Sequence, residues 1–270
     1  MKGVIFSETL RQHWISALWW GVGIGLMALL QVIFVQDMDA VRQIADLLET
    51  MPAFLIQGLI GTNDIEYLAS GEGYLATSFY SIALLMYAFY AVTAGMNVSA
   101  NEEDKGILNL LMSTPITRTQ LVIERFLSFL ILSVFVVIIS TLFIWAGLLI
   151  TPALQVESGR IIEGSLNILP STWAILAFTL FIGALMRRRN LAFTLACIFV
   201  VAGYFLDFIG RGASESILNQ LRVLSYYSYY DGTGVLQYGL NFGNISVLLV
   251  FTALFLGLGV FLFKRRDIGL

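Results

Sequence analysis

Six apolar runs, at residues 15–35, 74–98, 121–150, 172–186, 191–206 and 245–263, dominate the chain and leave it little choice of environment. A helix that crosses a bilayer needs about 20 apolar residues, because each residue rises only about 1.5 Å through a hydrocarbon core about 30 Å thick. The runs at 172–186 and 191–206 are the short ones. Fusing them would hold Arg187, Arg188 and Arg189 at mid-bilayer at about 2.5–3.5 kcal/mol each, so two helices joined by a tight hairpin are expected. Only 12% of the 270 residues are charged and 58% are hydrophobic, whereas about a quarter of the residues of a soluble protein are charged. The expected fold is therefore all-α and integral to the membrane, a single domain over residues 1–270 with six transmembrane helices.

Six crossings return both termini to the same side. That side holds Lys2, Arg11, Lys105, Arg118, Arg125, Arg187, Arg188, Arg189, Lys264, Arg265 and Arg266, and the other only Arg42, Arg160, Arg211 and Arg222. Since Lys and Arg are retained in cytoplasmic loops, both termini and the 99–120 loop are expected in the cytoplasm, with residues 36–73 and 207–243 outside. Within the first outer loop, Val41, Ile44, Ala45 and Leu48 recur at helical spacing opposite Arg42, Asp46 and Glu49. That pattern suits an amphipathic helix on the outer leaflet. Tyr226-Tyr-Ser-Tyr-Tyr230 has the aromatic density of an interfacial belt, with the lining of a substrate exit as the alternative.

Chemistry of the chain's own is hard to find. Cys197 is the single cysteine and His13 the single histidine, so neither an intramolecular disulfide nor a pair of imidazole metal ligands can form. No Gly-x-Ser-x-Gly elbow and no Gly-x-x-x-x-Gly-Lys-Ser/Thr phosphate loop occurs, which removes a serine-hydrolase elbow and P-loop ATP hydrolysis. The net charge of −3 gives no electrostatic footprint for nucleic acid. The spans read as uncharged at mid-membrane depth, where ionisable residues would mark an ion or proton path. Asp207, just beyond the fifth run, reads as an interfacial carboxylate. No catalytic or metal-binding residue is expected, and any energy for work must come from another chain.

What remains is the polar stretch from Ala100 to Arg118. Ile107, Leu108, Leu110, Leu111 and Met112 give it an apolar helical face, a liability in water unless a groove or the membrane covers it. Thr114-Pro115 suits a helix start, and Thr117-Arg-Thr-Gln120 matches a capping box that restarts the chain as the third span. From the residues alone, a docking helix and an interfacial elbow with solvated charges are equally open. Gly21 with Gly25, and Ala91 with Gly95, repeat the small-xxx-small spacing that lets membrane helices approach closely, within the unit by default or across a dimer.

Three segments carry a family resemblance. Glu102-Glu-Asp-Lys-Gly-Ile-Leu-Asn-Leu-Leu-Met-Ser-Thr-Pro-Ile-Thr-Arg-Thr-Gln120 resembles the first cytoplasmic loop of ABC-2 type transporter permeases, and Phe263-Lys-Arg-Arg-Asp-Ile268 resembles their chain end. Leu224-Ser-Tyr-Tyr-Ser-Tyr-Tyr-Asp231 is more loosely similar to the region before their last span. The resemblance implies a cytosolic coupling helix between the second and third spans that docks on a separate ABC ATPase subunit. Glu102, Glu103, Lys105, Gly106, Leu108, Leu110, Leu111, Thr114, Pro115 and Arg118 would make that contact. It further implies an interfacial helix over residues 1–14, a second copy or related permease as partner in the bilayer, and ATP and Mg held by the ATPase with no cofactor on this chain. A multi-pass protein of a prokaryotic plasma membrane is the corresponding location. The importer signature Glu-Ala-Ala followed by a spaced glycine is absent from the cytoplasmic loops, which favours export. Uncharged spans favour a hydrophobic or amphiphilic cargo such as a lipid, drug or peptide. A membrane scaffold or sensor subunit docking a non-ATPase partner is the alternative from another class, and an intramembrane enzyme a third.

Overall fold

The computed structural model describes residues 3–35, 38–59, 61–62, 64–99, 117–186, 188–212 and 217–265. Its described residues form helices and turns with no strand, and six helices are long and apolar enough to cross a membrane: Val4–Ile33, Gly71–Val98, Arg118–Ile150, Ser158–Leu185, Arg189–Gly212 and Phe242–Arg265. They are numbered here as the first to sixth spans. The end of the bundle near the termini is called the base and the opposite end the crown.

The first span runs 30 residues, about 45 Å at 1.5 Å per residue, longer than a hydrocarbon core. No proline or glycine interrupts residues 4–20, so residues 4–14 continue into the membrane run as its first turns. The segment expected to be an interfacial helix, residues 1–14, thus includes the first turns of one continuous helix from Val4. Its start is pinned to the third span: the Gly3 and Phe6 amides donate to the Glu124 carboxylate at 3.0 and 3.2 Å, and the Ser128 hydroxyl donates to the Phe6 carbonyl at 3.0 Å. The third span begins at Arg118 and therefore contains Glu124 and Arg125. The apolar run read from residue 121 is thus charged in its first turns, and Glu124 is kept because it satisfies amides that a helix start leaves without partners.

The fourth span begins at Ser158, not near residue 172, and carries Pro170 inside the helix. A proline inside a helix removes one ladder hydrogen bond. In the bundle the surrounding helices enclose this segment, which is the setting in which membrane helices tolerate an internal proline. The polar residues also find partners, Arg160 pairing with Glu163 at 3.1 Å and the Asn167 amide donating to the Tyr230 carbonyl at 2.9 Å. The fifth span extends to Gly212, so Asp207 lies within the helix and not beyond it.

The first span packs chiefly on the third, while the fourth is central and meets the second, sixth, third and fifth. A Cβ added at Gly21 would stand 2.8 Å from the Ile139 Cβ, and one at Gly25 2.7 Å from the Phe143 ring. At Gly95 an added Cβ would stand 2.6 Å from the Thr179 Cβ and 2.9 Å from the Leu176 carbonyl oxygen, and the neighbouring Ala91 is fully buried. All four small residues therefore face helices of the same chain. Gly95→Val is expected to cost about 2–3 kcal/mol by overpacking against a backbone oxygen that cannot swing aside. The measurement is the thermal midpoint of the detergent-solubilised protein, and an unchanged midpoint would mean the second and fourth spans do not meet there.

Polar and aromatic contacts complete the bundle. Tyr87 bonds Ser140, Tyr80 bonds Ser165 at 3.1 Å, Thr141 donates to Ser165 at 2.8 Å, and the Trp173 indole donates to Ser133 at 2.9 Å. This ladder of hydroxyls joins the second, third and fourth spans at depths where an unpaired polar group is costly. Phe178 of the fourth span stacks on Phe199 of the fifth at 3.8 Å and meets Phe255 of the sixth edge-on at 5.2 Å, forming an aromatic seam through those three spans.

Candidate functional site

At the base, the polar connection between the second and third spans covers residues 100–116, which lie outside the described residues. Glu102, Glu103, Lys105, Gly106, Leu108, Leu110, Leu111, Thr114 and Pro115 fall there, whereas Arg118 is the partly buried first residue of the third span. The re-entry into that span is defined. Thr117 is extended, and its hydroxyl accepts the Gln120 amide at 3.2 Å, the N-cap half of the capping box. The Gln120 side chain donates forward to Glu124 at 2.7 Å, joining the cap to the carboxylate that holds the first span.

The connection thereby joins two packed pairs. One of its ends leaves the second span, which lies on the fourth through Gly95. The other enters the third, which is strapped to the first by Glu124 and Ser128 and lies close against Gly21 and Gly25. Polar contacts between the pairs run from Tyr87 to Ser140, from Thr141 to Ser165, from Trp173 to Ser133 and from Tyr74 to the Gln31 carbonyl.

The crown holds a cluster that the sequence reading missed. Asp207, only 2% exposed, pairs with Arg211 at 2.8 Å and with Arg222 at 2.6 Å. The Asp207 and Arg211 spacing, one helical turn, was available in the sequence, but the fifth run appeared to end before them. Beside the ion cluster, Tyr226, Tyr227 and Tyr230 are buried, which corrects the belt reading. Their hydroxyls donate to the carbonyls of Val200 at 3.1 Å, Ser81 at 2.5 Å and Tyr80 at 2.7 Å, so the segment clasps the fifth and second spans. Burial pushes all three phenols above the ordinary tyrosine value, so they remain donors even at a pH that would ionise an exposed tyrosine. In the first crown loop, Met38–Glu49 is helical, with Val41 buried and Arg42, Asp46 and Leu47 exposed.

Between base and crown the spans carry no charge: residues 14–33, 73–99, 126–150, 164–185, 190–206 and 242–263 contain no Asp, Glu, Lys, Arg or His. An apolar groove of about 790 Å³ opens between the first and second spans, walled by Trp19, Trp20, Met86 and Phe89 with Gln12 and Ser16 toward the base. Such a surface can hold an apolar or amphiphilic molecule by burial, and no charged side chain lines it.

No curated protein matches the chain. The family described as ABC-2 family transporter protein matches residues 6–268, nearly the whole length. That family comprises the membrane components of ABC transporters, generally non-catalytic, which agrees with six apolar spans and the lack of a phosphate loop. The chain belongs to the ABC-2 family of transporter proteins and is a multi-pass membrane permease.

Proposed function

We propose that this permease couples to a separate ABC ATPase subunit, pairs with a second copy or a related permease, and exports a hydrophobic or amphiphilic substrate from the cytoplasm. The observation that carries the reading is the polar connection joining the second span, packed on the fourth, to the third span, packed on the first. A partner that grips residues 100–116 pulls on both pairs at once, as movement of one packed unit against another requires. ATP binding on the ATPase draws the complex together and supplies the energy that a chain without a phosphate loop lacks. The arginine-rich base faces the cytoplasm, as the distribution of Lys and Arg requires. The uncharged spans and the groove beside Trp19 and Phe89 support an apolar or amphiphilic cargo.

Affinity purification in mild detergent tests the pairing. Recovery of a chain bearing a Gly-x-x-x-x-Gly-Lys-Ser/Thr loop supports it, and a non-ATPase partner alone would support the scaffold reading instead. Coupling is tested with Gly106→Trp and Pro115→Ala in the reconstituted complex. Hydrolysis is expected to continue while movement of a fluorescent phospholipid or amphiphilic dye falls about tenfold or more, the scale of losing a few kcal/mol of coupling. Transport that keeps pace with hydrolysis in both variants would sink residues 106 and 115 as coupling positions.

A further inference from the structure

Most of the second span is α-helical, but Ala76–Tyr80 forms a π turn. A π turn carries one residue more than the α-helix around it, so its backbone groups cannot all keep their ordinary partners. Here the Ser81 amide reaches five residues back to the Ala76 carbonyl. The Thr77 carbonyl, which that amide would take in an α-helix, instead accepts the Ser81 hydroxyl. The Thr77 hydroxyl donates to the Gly73 and Tyr74 carbonyls at 2.9 and 3.1 Å. At the lower edge of the turn, the Tyr80 and Ser81 carbonyls accept the phenols of Tyr230 and Tyr227. Side-chain hydroxyls thus hold the turn where it is.

Both flanks of the turn are fixed. Above it, a Cβ on Gly71 or Gly73 would run into the Gln155 or Tyr67 backbone, and below it Gly95 is packed against the fourth span. The span therefore cannot rotate as a whole. A π turn can nevertheless step along a helix without disturbing its flanks, because the surplus residue is only relocated and the residues between the old and new positions alone turn by about 100°. Those residues here include Tyr80 and Ser81. A cavity of about 10 Å³ lies beside Ser81, bounded also by Tyr227, Tyr230, Gly232 and Thr233 next to Asp207 and Arg211, about the room one water needs to replace a departing hydroxyl.

We propose that the π turn is a movable joint of the second span: when it steps toward the base, Tyr227 and Tyr230 lose their carbonyl partners and the crown clasp opens. The second span also leads to residues 100–116, so the joint connects the base to the crown. In that respect the inference rests on the permease reading above.

The experiment uses the full chain in lipid nanodiscs with Cys197→Ser and a reporter, Thr233→Cys, at a position 3% exposed. Labelling by a membrane-impermeant maleimide is the readout. Deleting Ser78 removes the surplus residue, makes the span continuously α-helical and restores the ordinary partners. With both flanks in place and no turn left to step, it is expected to leave a folded protein whose label reacts about tenfold more slowly, since the clasp can no longer open by that route. Deleting Ala88, where no surplus exists, rotates everything beyond it and is expected to abolish folding. Ser81→Ala and the pair Tyr227→Phe, Tyr230→Phe, which remove hydroxyls that hold the turn and the clasp, should instead speed labelling. If the Ser78 deletion unfolds the protein as the Ala88 deletion does, or folds and labels at the parent rate, the joint is overturned. Adding the ATPase with trapped nucleotide gives a separate arm: a change in labelling ties the joint to ATP, while no change together with a positive deletion result overturns only that tie.

Discussion

Gly73→Ala is expected to be among the most damaging single-methyl additions in this protein, lowering stability by about 3 kcal/mol, the upper end of overpacking costs. The added Cβ would fall within the van der Waals shell of the Tyr67 carbonyl oxygen. That oxygen cannot retreat, because the Ser70 amide and hydroxyl both bond it, at 2.9 and 2.6 Å, and the same hydroxyl accepts the Gly73 amide at 3.0 Å. Ser70 is the N-cap of the second span, so relieving the clash means losing the cap. Gly23→Ala is the matched control: nothing lies within 4 Å of a Cβ there, and alanine is the better helix former by about 0.8–1 kcal/mol. In detergent the first variant should lose on the order of 5–10 °C in thermal midpoint and the second should hold or gain. Equal behaviour of the two would mean that the Tyr67 to Gly73 turn is not as close as described.

Asp207→Asn should have an effect of similar size by a different route. The carboxylate is nearly inaccessible and serves two guanidinium groups, of which Arg211 is 11% and Arg222 30% exposed. Neutralising it leaves both cations facing each other in an apolar surrounding, and breaking a buried pair in this way costs about 3–5 kcal/mol. Arg222→Gln should cost less, since Asp207 keeps Arg211 and the lost partner is the more hydrated one. Replacing all three by apolar residues should recover much of the loss, because ions that no longer need compensation carry no desolvation penalty. Thermal midpoints of the four proteins test the order, and Arg222→Gln proving worse than Asp207→Asn would contradict the shared-carboxylate geometry.

These two sites differ in how far the sequence announced them. The spans themselves were legible because the bilayer imposes a length and a polarity that can be read residue by residue. Their ends were not. The fourth run was read from residue 172 and Asp207 as an interfacial carboxylate beyond the fifth, yet Pro170 and Asp207 both lie inside helices, since the neighbours that make an internal proline tolerable or a buried carboxylate useful come from distant parts of the chain. Asp207 needs Arg222 from beyond the span, and the second span accepts tyrosines from residues 227 and 230. Tyr226-Tyr-Ser-Tyr-Tyr230 is the instructive error. Aromatic density at a membrane boundary is compatible with an exposed belt and with a buried clasp, and the choice depends on whether carbonyls of other helices stand within reach of the phenols.

The sequence by itself determined the number of crossings, the all-helical class, the absence of a phosphate loop and the resemblance that the family match over residues 6–268 bears out. Each follows from local composition or a contiguous motif. Tertiary structure decided which helices touch: Gly21 and Gly25 against the third span, Gly95 against the fourth, and Glu124 at the start of the first. It also decided that the second span contains a π turn whose carbonyls are held by hydroxyls. Hydropathy is a property of one segment, whereas close packing and the satisfaction of buried polar groups are properties of pairs of segments, and the pairing exists only after the helices have come together.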